Sequence, residues 1–309
     1  MKVGFIGLGT MGAGMALNAI RGGSQLVVND LNRDAAARHL DAGAEWADTA
    51  AEVAATSEVV FTSLPGPKEI DAIVHAPDGL LAGFKPGSAW FDLSTNSPTL
   101  MRELHAELAE KGVSVMDAPV SGGPTGANSG KLAIWIGGDE GTYVKYRSIL
   151  DAMGDAARYT GPIGSGSIAK LVHNLSGYCV QMALAETFSM GVKAGLEPDA
   201  LWEAVRQGAV GRWRTFDNMA KAFLPAEFDP PNFALELARK DVALACELGR
   251  EFEVPMKIAH TTLAEMTEAM NRGWGKRDSR IAMTLQTERA GVEIKVSKER
   301  IQEILDADG

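Results

Sequence analysis

A lysine and an asparagine four residues apart on a helix share one face, where they can move a proton and orient the group that yields it. Lys170 and Asn174 form such a pair in the stretch Gly164-Ser165-Gly166-Ser167-Ile168-Ala169-Lys170-Leu171-Val172-His173-Asn174. The polar stripe continues through Gly177 and Gln181, while Ile168, Leu171, Val172, Leu175, Tyr178, Val180 and Met182 make the rest of the surface apolar. A polar stripe on such a helix must look into a cavity or find partners, because buried polar groups are costly when unpaired. A lone lysine beside a glycine turn is more often a solvated surface residue, so the reading of Lys170 depends on the rest of the chain. His173 is the rival base, although a helical histidine is more often structural.

A second cluster lies at the start of the chain. Gly7-Leu8-Gly9-Thr10-Met11-Gly12 follows an apolar strand pattern and opens a helical one. In that setting the first glycine permits a tight turn, the second lets backbone approach a pyrophosphate, and the third lets helix pack on strand. The helix N-terminus then faces the phosphates. Asn29 and Asp30 close the next strand, Asp30 standing eighteen residues after Gly12. A carboxylate there accepts hydrogen bonds from a ribose and repels a 2′-phosphate, which favours NAD. Arg33 is the competing feature, since a guanidinium can meet the 2′-phosphate of NADP. Asp30 also reads as a plain turn residue.

Three further strand ends form the expected rim of a ligand crevice, because open parallel sheets bind ligands at their carboxyl ends. They are Leu64-Pro65-Gly66-Pro67, then Asp92-Leu93-Ser94-Thr95, then Asp117-Ala118-Pro119-Val120-Ser121-Gly122-Gly123. Ser121 with the amides of Gly122 and Gly123 offers a carboxylate cradle, or is an ordinary Gly/Pro loop.

The elements that must position these residues follow from periodicity. Candidate strands are 2–6, 25–29, 59–64, 88–93, 113–117, 132–136 and 157–159, with helical patterns between most of them, such as 34–41 and 99–111. Strand–helix alternation implies an α/β Rossmann-type domain with a parallel-rich sheet covered on both faces. After Ile163 the strand signals stop. Helical patterns follow at 167–194, 198–209, 234–252, 254–271 and 279–290, which predict an all-α C-terminal domain. The expected division is residues 1–162 and 163–309.

Composition excludes several classes. The 309 residues carry a formal net charge of -10, which argues against nucleic acid or an anionic membrane as partner. Two cysteines, Cys179 and Cys246, make no disulfide framework, and five scattered histidines show no metal-ligand spacing, so no metal is expected. The apolar run after Met1 is too short for a signal peptide and no run is long enough for a bilayer, so a cytoplasmic protein is expected.

Together, Gly7 to Gly12, Asp117 to Gly123, the Lys170 stretch and Lys240-Asp241-Val242-Ala243-Leu244-Ala245 resemble the β-hydroxyacid dehydrogenases, the family of 3-hydroxyisobutyrate dehydrogenase and tartronate semialdehyde reductase, over nearly the whole chain. The resemblance implies hydride transfer between NAD or NADP and a small anionic β-hydroxy acid or its semialdehyde. It implies Lys170 as general acid/base, Asn174 as a substrate contact, and Ser121, Gly122 and Gly123 as the substrate loop. It places Thr95 and Lys240 near the nicotinamide, and it implies a homodimer or homotetramer joined through the helical domain. Gly211-Arg212-Trp213-Arg214-Thr215-Phe216-Asp217 lies where members differ by substrate, and Arg214 there is a candidate carboxylate ligand. The tail from Gly291 to Val296 reads as an edge strand for an oligomer or a frayed terminus. The alternatives are an imine reductase, which usually lacks the lysine, and a non-catalytic NAD-binding regulator of the same fold.

Overall fold

The computed structural model describes residues 1–193, 195–208, 211, 216–251 and 256–307. It divides into two compact units, Met1–Val172 and His173–Gly309. The division falls within one long helix, C-terminal to the boundary expected at residue 162.

The first unit opens with β1 (Lys2–Ile6), α1 (Gly12–Arg21), β2 (Gln25–Asn29), α2 (Ala37–Asp41), β3 (Glu45–Trp46) and α3 (Ala50–Thr56). It continues through β4 (Val59–Thr62), α4 (Pro67–His75), α5 (Leu80–Gly83), β5 (Ala89–Asp92) and α6 (Pro98–Ala109). Then come β6 (Ser114–Asp117), β7 (Val120–Ser121), α7 (Gly123–Ser129), β8 (Ala133–Gly137), α8 (Glu140–Met153) and β9 (Ala156–Gly161). Strand order is β3-β2-β1-β4-β5-β6-β8-β7, with β9 paired to β8. All pairs from β3 to β6 are parallel, whereas β8 runs antiparallel to β6 and β7. The chain winds outward on one side of β1 and then on the other, so the topological switch lies between β1 and β4, at the carboxyl end that carries Gly7.

Alternation along each strand builds two cores. Val3, Phe5, Val28, Val59, Phe61, Phe91 and Met116 point to one face; Ile6, Val27, Val60, Trp90 and Val115 point to the other. Phe5, Phe61 and Phe91 are in register across three strands, with centroids 6.4 and 5.2 Å apart. Both faces are therefore dry, as a parallel sheet requires.

Two short strands, β3 and β7, escape sequence reading because two residues carry no periodicity. The strand expected to reach Leu64 stops at Thr62, since the Leu64 amide turns away and donates to Ser94 Oγ at 2.9 Å.

α9 (Ser165–Lys193) leads into the second unit, which continues with α10 (Pro198–Gln207), α11 (Leu235–Glu251), α12 (Lys257–Asn271), α13 (Thr284–Ala290) and α14 (Lys298–Ala307). The helix expected over 279–290 begins as a 3-10 turn, Ser279–Met283, because the Asp278 side chain accepts the Arg280 amide. That carboxylate is fully buried and takes a two-pronged contact from Arg280, Nε to Oδ1 at 2.7 Å and Nη2 to Oδ2 at 2.8 Å. Burial pushes the Asp278 carboxyl up, but the Arg280 guanidinium outweighs it and holds the group below the usual carboxylate range.

Among the described residues the tail is packed on the helical unit rather than frayed. Ile294, Val296, Ile301 and Ile304 are buried against Leu184, Trp202, Phe223 and Leu224. The Val296 amide donates to Leu224 O at 2.8 Å, and Arg206 Nη1 donates to Ile304 O at 3.0 Å. Among the described residues no helix is long and apolar enough to cross a membrane.

Candidate active site

The glycine loop follows β1 and fits a dinucleotide. Gly7 has φ +92°, where an L side chain is strained, and a Cβ there would also meet Ser63 O at 2.3 Å. A Cβ at Gly12 would lie 1.8 Å from Gly7 O, so α1 rests directly on the turn. At Gly9, which is exposed, an added Cβ would meet nothing within 4 Å. The loop is thus closed on the protein at its first and third glycines and open to a ligand at its second. No acidic residue occupies the first turn of α1, so nothing there opposes a phosphate at the helix N-terminus. Thr10 is exposed beside Gly9, while Leu8 is buried and Met11 packs against the core.

Asp30 is bound into this loop. Its Oδ2 accepts the Leu8 amide at 2.6 Å and its Oδ1 accepts the Asn32 amide at 2.8 Å. A carboxylate has about four acceptor positions, so capacity remains for ribose hydroxyls. Asn29 is anchored beside it: its side-chain amide donates to Ala47 O at 2.9 Å and its backbone carbonyl accepts the Gly7 amide at 3.0 Å. The Arg33 guanidinium lies over the Trp46 ring, 5.2 Å from its centroid, with Asp48 Oδ1 3.8 Å away.

The next two strand ends are organised by one buried carboxylate. Asp92 Oδ1 accepts Thr62 Oγ1 at 2.8 Å and the Ser94 amide at 3.1 Å, and Oδ2 accepts Asn96 Nδ2 at 2.8 Å. Trp90 Nε1 donates in turn to Thr62 Oγ1 at 3.0 Å. Burial pushes the Asp92 carboxyl up, and donors from Ser94, Asn96 and Thr62 act against it. The network fixes the loop that carries half-buried Thr95, and through Ser94 Oγ it holds Leu64, whose neighbour Pro65 is exposed.

Asp117, in register with Asp92 on the adjacent strand, is equally buried. Its Oδ1 accepts the Gly164 amide at 2.7 Å and its Oδ2 the Ser167 amide at 2.5 Å, at the opening of α9. Burial pushes this carboxyl up, while the Ser167 and Gly164 amides favour its charged form. Half-buried Ser121 ends β7, and Gly122 and Gly123 follow it exposed, at φ +137° and +62°. Half-buried Lys170 lies one turn beyond Ser167.

Further along α9, Asn174 Nδ2 donates to Asp241 Oδ2 at 2.6 Å. Asp241 is buried on α11, and Lys240 Nζ lies 3.0 Å from its other oxygen, a contact of opposite charges rather than an aligned hydrogen bond. Lys240 and Asn174 thus meet at a single carboxylate. His173 is exposed and lines a groove with Ser176, Gly177, Val180, Gln181 and Asn218. The expected polar stripe is therefore divided: Asn174 binds Asp241, while Gly177 and Gln181 join the groove. Arg212, Trp213 and Arg214 lie outside the described residues. Among the described residues no group of three or more His, Cys, Asp or Glu could hold a metal ion.

Sequence reasoning assigned no role to Asp92, Asp117 or Asp241, which organise these loops and helices. Their signal is an acid set at the end of an apolar strand run, Ala-Trp-Phe-Asp and Val-Met-Asp, or beside a lysine on an apolar helix.

An open parallel sheet whose first strand ends in this glycine loop at the topological switch defines a dinucleotide-binding protein. Residues 2–161 match the family described as the NAD binding domain of 6-phosphogluconate dehydrogenase, and residues 164–285 match NAD-binding of NADP-dependent 3-hydroxyisobutyrate dehydrogenase. The chain is 33% identical over 296 residues to 2-(hydroxymethyl)glutarate dehydrogenase of Eubacterium barkeri, covering 95% of this chain and 97% of that one. It is 33% identical over 289 residues to the NAD-dependent L-serine dehydrogenase of Pseudomonas aeruginosa, covering 92% and 97%. The structure of Mycobacterium tuberculosis 3-hydroxyisobutyrate dehydrogenase with L-serine superposes with a TM-score of 0.83 at 28% identity, covering 92% of this chain and 98% of that one. The chain belongs to the β-hydroxyacid dehydrogenase family, and its cofactor is NAD(P).

The glycine geometry separates folding from binding. Gly9→Ala should leave the thermal midpoint within about 2 °C but weaken NAD(P) binding roughly tenfold or more, because the new methyl group stands where backbone meets phosphate. Gly12→Ala should lower the midpoint itself. Calorimetry and cofactor titration of both variants check this, and a destabilised Gly9→Ala with normal affinity would contradict it.

Proposed function

We propose that the protein interconverts a small β-hydroxy acid and its carbonyl product, with Lys170 as general acid/base and NAD as the preferred cofactor. The observation that carries this is the placement of Lys170 one helical turn before Asn174, whose amide is fixed by the buried Asp241 carboxylate. The bound cofactor supplies the hydride acceptor or donor. In oxidation, neutral Lys170 takes the hydroxyl proton as the C–O single bond becomes a carbonyl and the carbinol hydrogen departs with its electron pair. In reduction, protonated Lys170 returns that proton to the alkoxide oxygen. Asp241 leaves Asn174 a fixed carbonyl and one amide hydrogen with which to orient the substrate hydroxyl.

The substrate's carboxylate is assigned to Ser121, Gly122 and Gly123, which combine a hydroxyl with backbone donors, and Arg214 to a further anionic group. Lys240, Leu64, Pro65, Thr95 and the Gly7–Gly12 loop are assigned to the cofactor. Two features support NAD: Asp30 retains acceptor capacity at the end of β2, and Arg33 is stacked on Trp46. A homodimer or homotetramer joined through the helical part is supported by exposed Val180, Leu196 and Ile258.

Lys170→Ala should lower turnover about a hundredfold or more on the best substrate from a screen of small β-hydroxy acids, with cofactor affinity largely intact. Near-normal turnover would remove Lys170 from the mechanism. NAD should give higher kcat/KM than NADP, and Asp30→Ala should narrow the difference; an unmutated enzyme that prefers NADP would show that Arg33, not Asp30, sets the choice. Light scattering at micromolar concentration should report a dimer or larger, and a monomer would overturn the assembly.

A further inference from the structure

We propose that Asp117 is a positioning residue for proton transfer: its carboxylate fixes the first turn of α9, and so sets Lys170 against the Ser121–Gly123 loop. The inference rests on the acid/base reading of Lys170 and adds to it a residue that touches neither substrate nor cofactor.

The first amides of a helix have no intrahelical partner and usually take a side chain from the residue just before the helix. Here that residue is Gly164, at φ +90°, which has no side chain to offer. The acceptor comes instead from a strand end, 47 residues away for the Gly164 amide and 50 for that of Ser167. Both oxygens of one carboxylate are used, one for each amide. Two bonds from a planar group fix the rotation of the helix start as well as its height, and Ser167 precedes Lys170 by a single turn.

The other side of Asp117 is equally constrained. The chain runs from it through Ala118 and Pro119 into Val120 and Ser121. The Ala118 amide donates to Asp92 O at 2.7 Å, and Pro119 O accepts the Trp135 amide at 3.2 Å. The segment leading to the substrate loop is thus held from both neighbouring strands. Asp117 is the side chain that joins this held segment to the helix bearing the base.

The packing around it leaves no slack. A Cβ at Gly137 would fall 2.4 Å from Asp117 Oδ1 and 2.9 Å from the Gly166 amide nitrogen. A Cβ at Gly166 would fall 2.2 Å from Trp135 O. Thr160 Oγ1 and Ser165 Oγ, 2.9 Å apart, pin the same turn from β9. Any change in the carboxylate must therefore be passed to the helix rather than absorbed locally. Displacement of a catalytic group by about 1 Å costs on the order of a hundredfold in rate.

Asp117→Asn keeps the shape but sets an amide NH2 against one of the two backbone N–H groups, so one bond is lost and the turn must shift. The expected result is a ten- to hundredfold fall in kcat, with the NAD(P) dissociation constant within about twofold of normal. Loss of stability alone cannot identify a positioning role, so the deciding readout is the double variant. If Asp117 acts through Lys170, Lys170→Ala/Asp117→Asn will be no slower than Lys170→Ala. Gly137→Ala presses on the same carboxylate with its charge retained. It should also lower kcat, and only while Lys170 is present, and it serves the same test should Asp117→Asn fail to fold. Unchanged kcat in both variants, or losses that multiply in the Lys170→Ala background, would overturn the inference. A Lys170→Ala enzyme of normal turnover would instead remove the acid/base reading on which it stands, a failure visible before any Asp117 variant is made.

Discussion

A carboxylate taken out of water must be met by donors, and this requirement shapes the carboxyl edge of the sheet. Asp92 and Asp117 sit in register at the ends of β5 and β6, both almost without exposure. An unpaired ion there would cost several kcal/mol. Each avoids that cost by recruiting a different piece of chain: Asp92 gathers Thr62, Ser94 and Asn96, and Asp117 gathers the start of α9. The loops of an open sheet would otherwise be its most mobile parts. Here they are fastened from beneath by the last residues of the strands that deliver them.

The second unit applies the same logic inside a helical bundle. Asp278 and Arg280 form a buried pair, extended by the Asn232 amide and by Asn218 O, and Asp278 caps the 3-10 turn, Ser279–Met283, that leads into α13. Asp241 joins Asn174 of α9 to α11. Burial, followed by the charges of Asp241 and Asp278, pushes the Tyr178 phenol up, so that ring remains neutral on the buried side of the same helix. In each unit the apolar packing supplies most of the stability, while a few satisfied acids choose the register in which helices meet.

The legible parts of this chain are those in which chemistry and local geometry coincide. The Gly7–Gly12 loop can be read because each glycine answers a separate local demand, and the space at Gly9, the strain at Gly7 and the contact at Gly12 are distinct in the structure. Strands β1, β2, β4, β5 and β6 can be read because dry parallel strands are short apolar runs. The two-residue strands β3 and β7 cannot, since their pairing is decided by neighbours. The tail shows the same limit. Ile294, Val296, Ile301 and Ile304 carry a mixed spacing that suits an edge strand as well as a helix, and only the apolar surface offered by Trp202 and Phe223 selects the packed form.

By itself the sequence determined the class of fold, the order of its parts, the dinucleotide loop and the helix that carries Lys170 and Asn174 one turn apart, because all of these depend on residues close together in the chain. Tertiary structure alone decided what holds them. The partners of Asp117 lie about fifty positions away, and the partner of Asn174 lies 67 away. No periodicity encodes a bond over that distance. Which donor a buried acid finds is settled only when strands and helices have packed, since the penalty for leaving it unpaired arises only once water has gone.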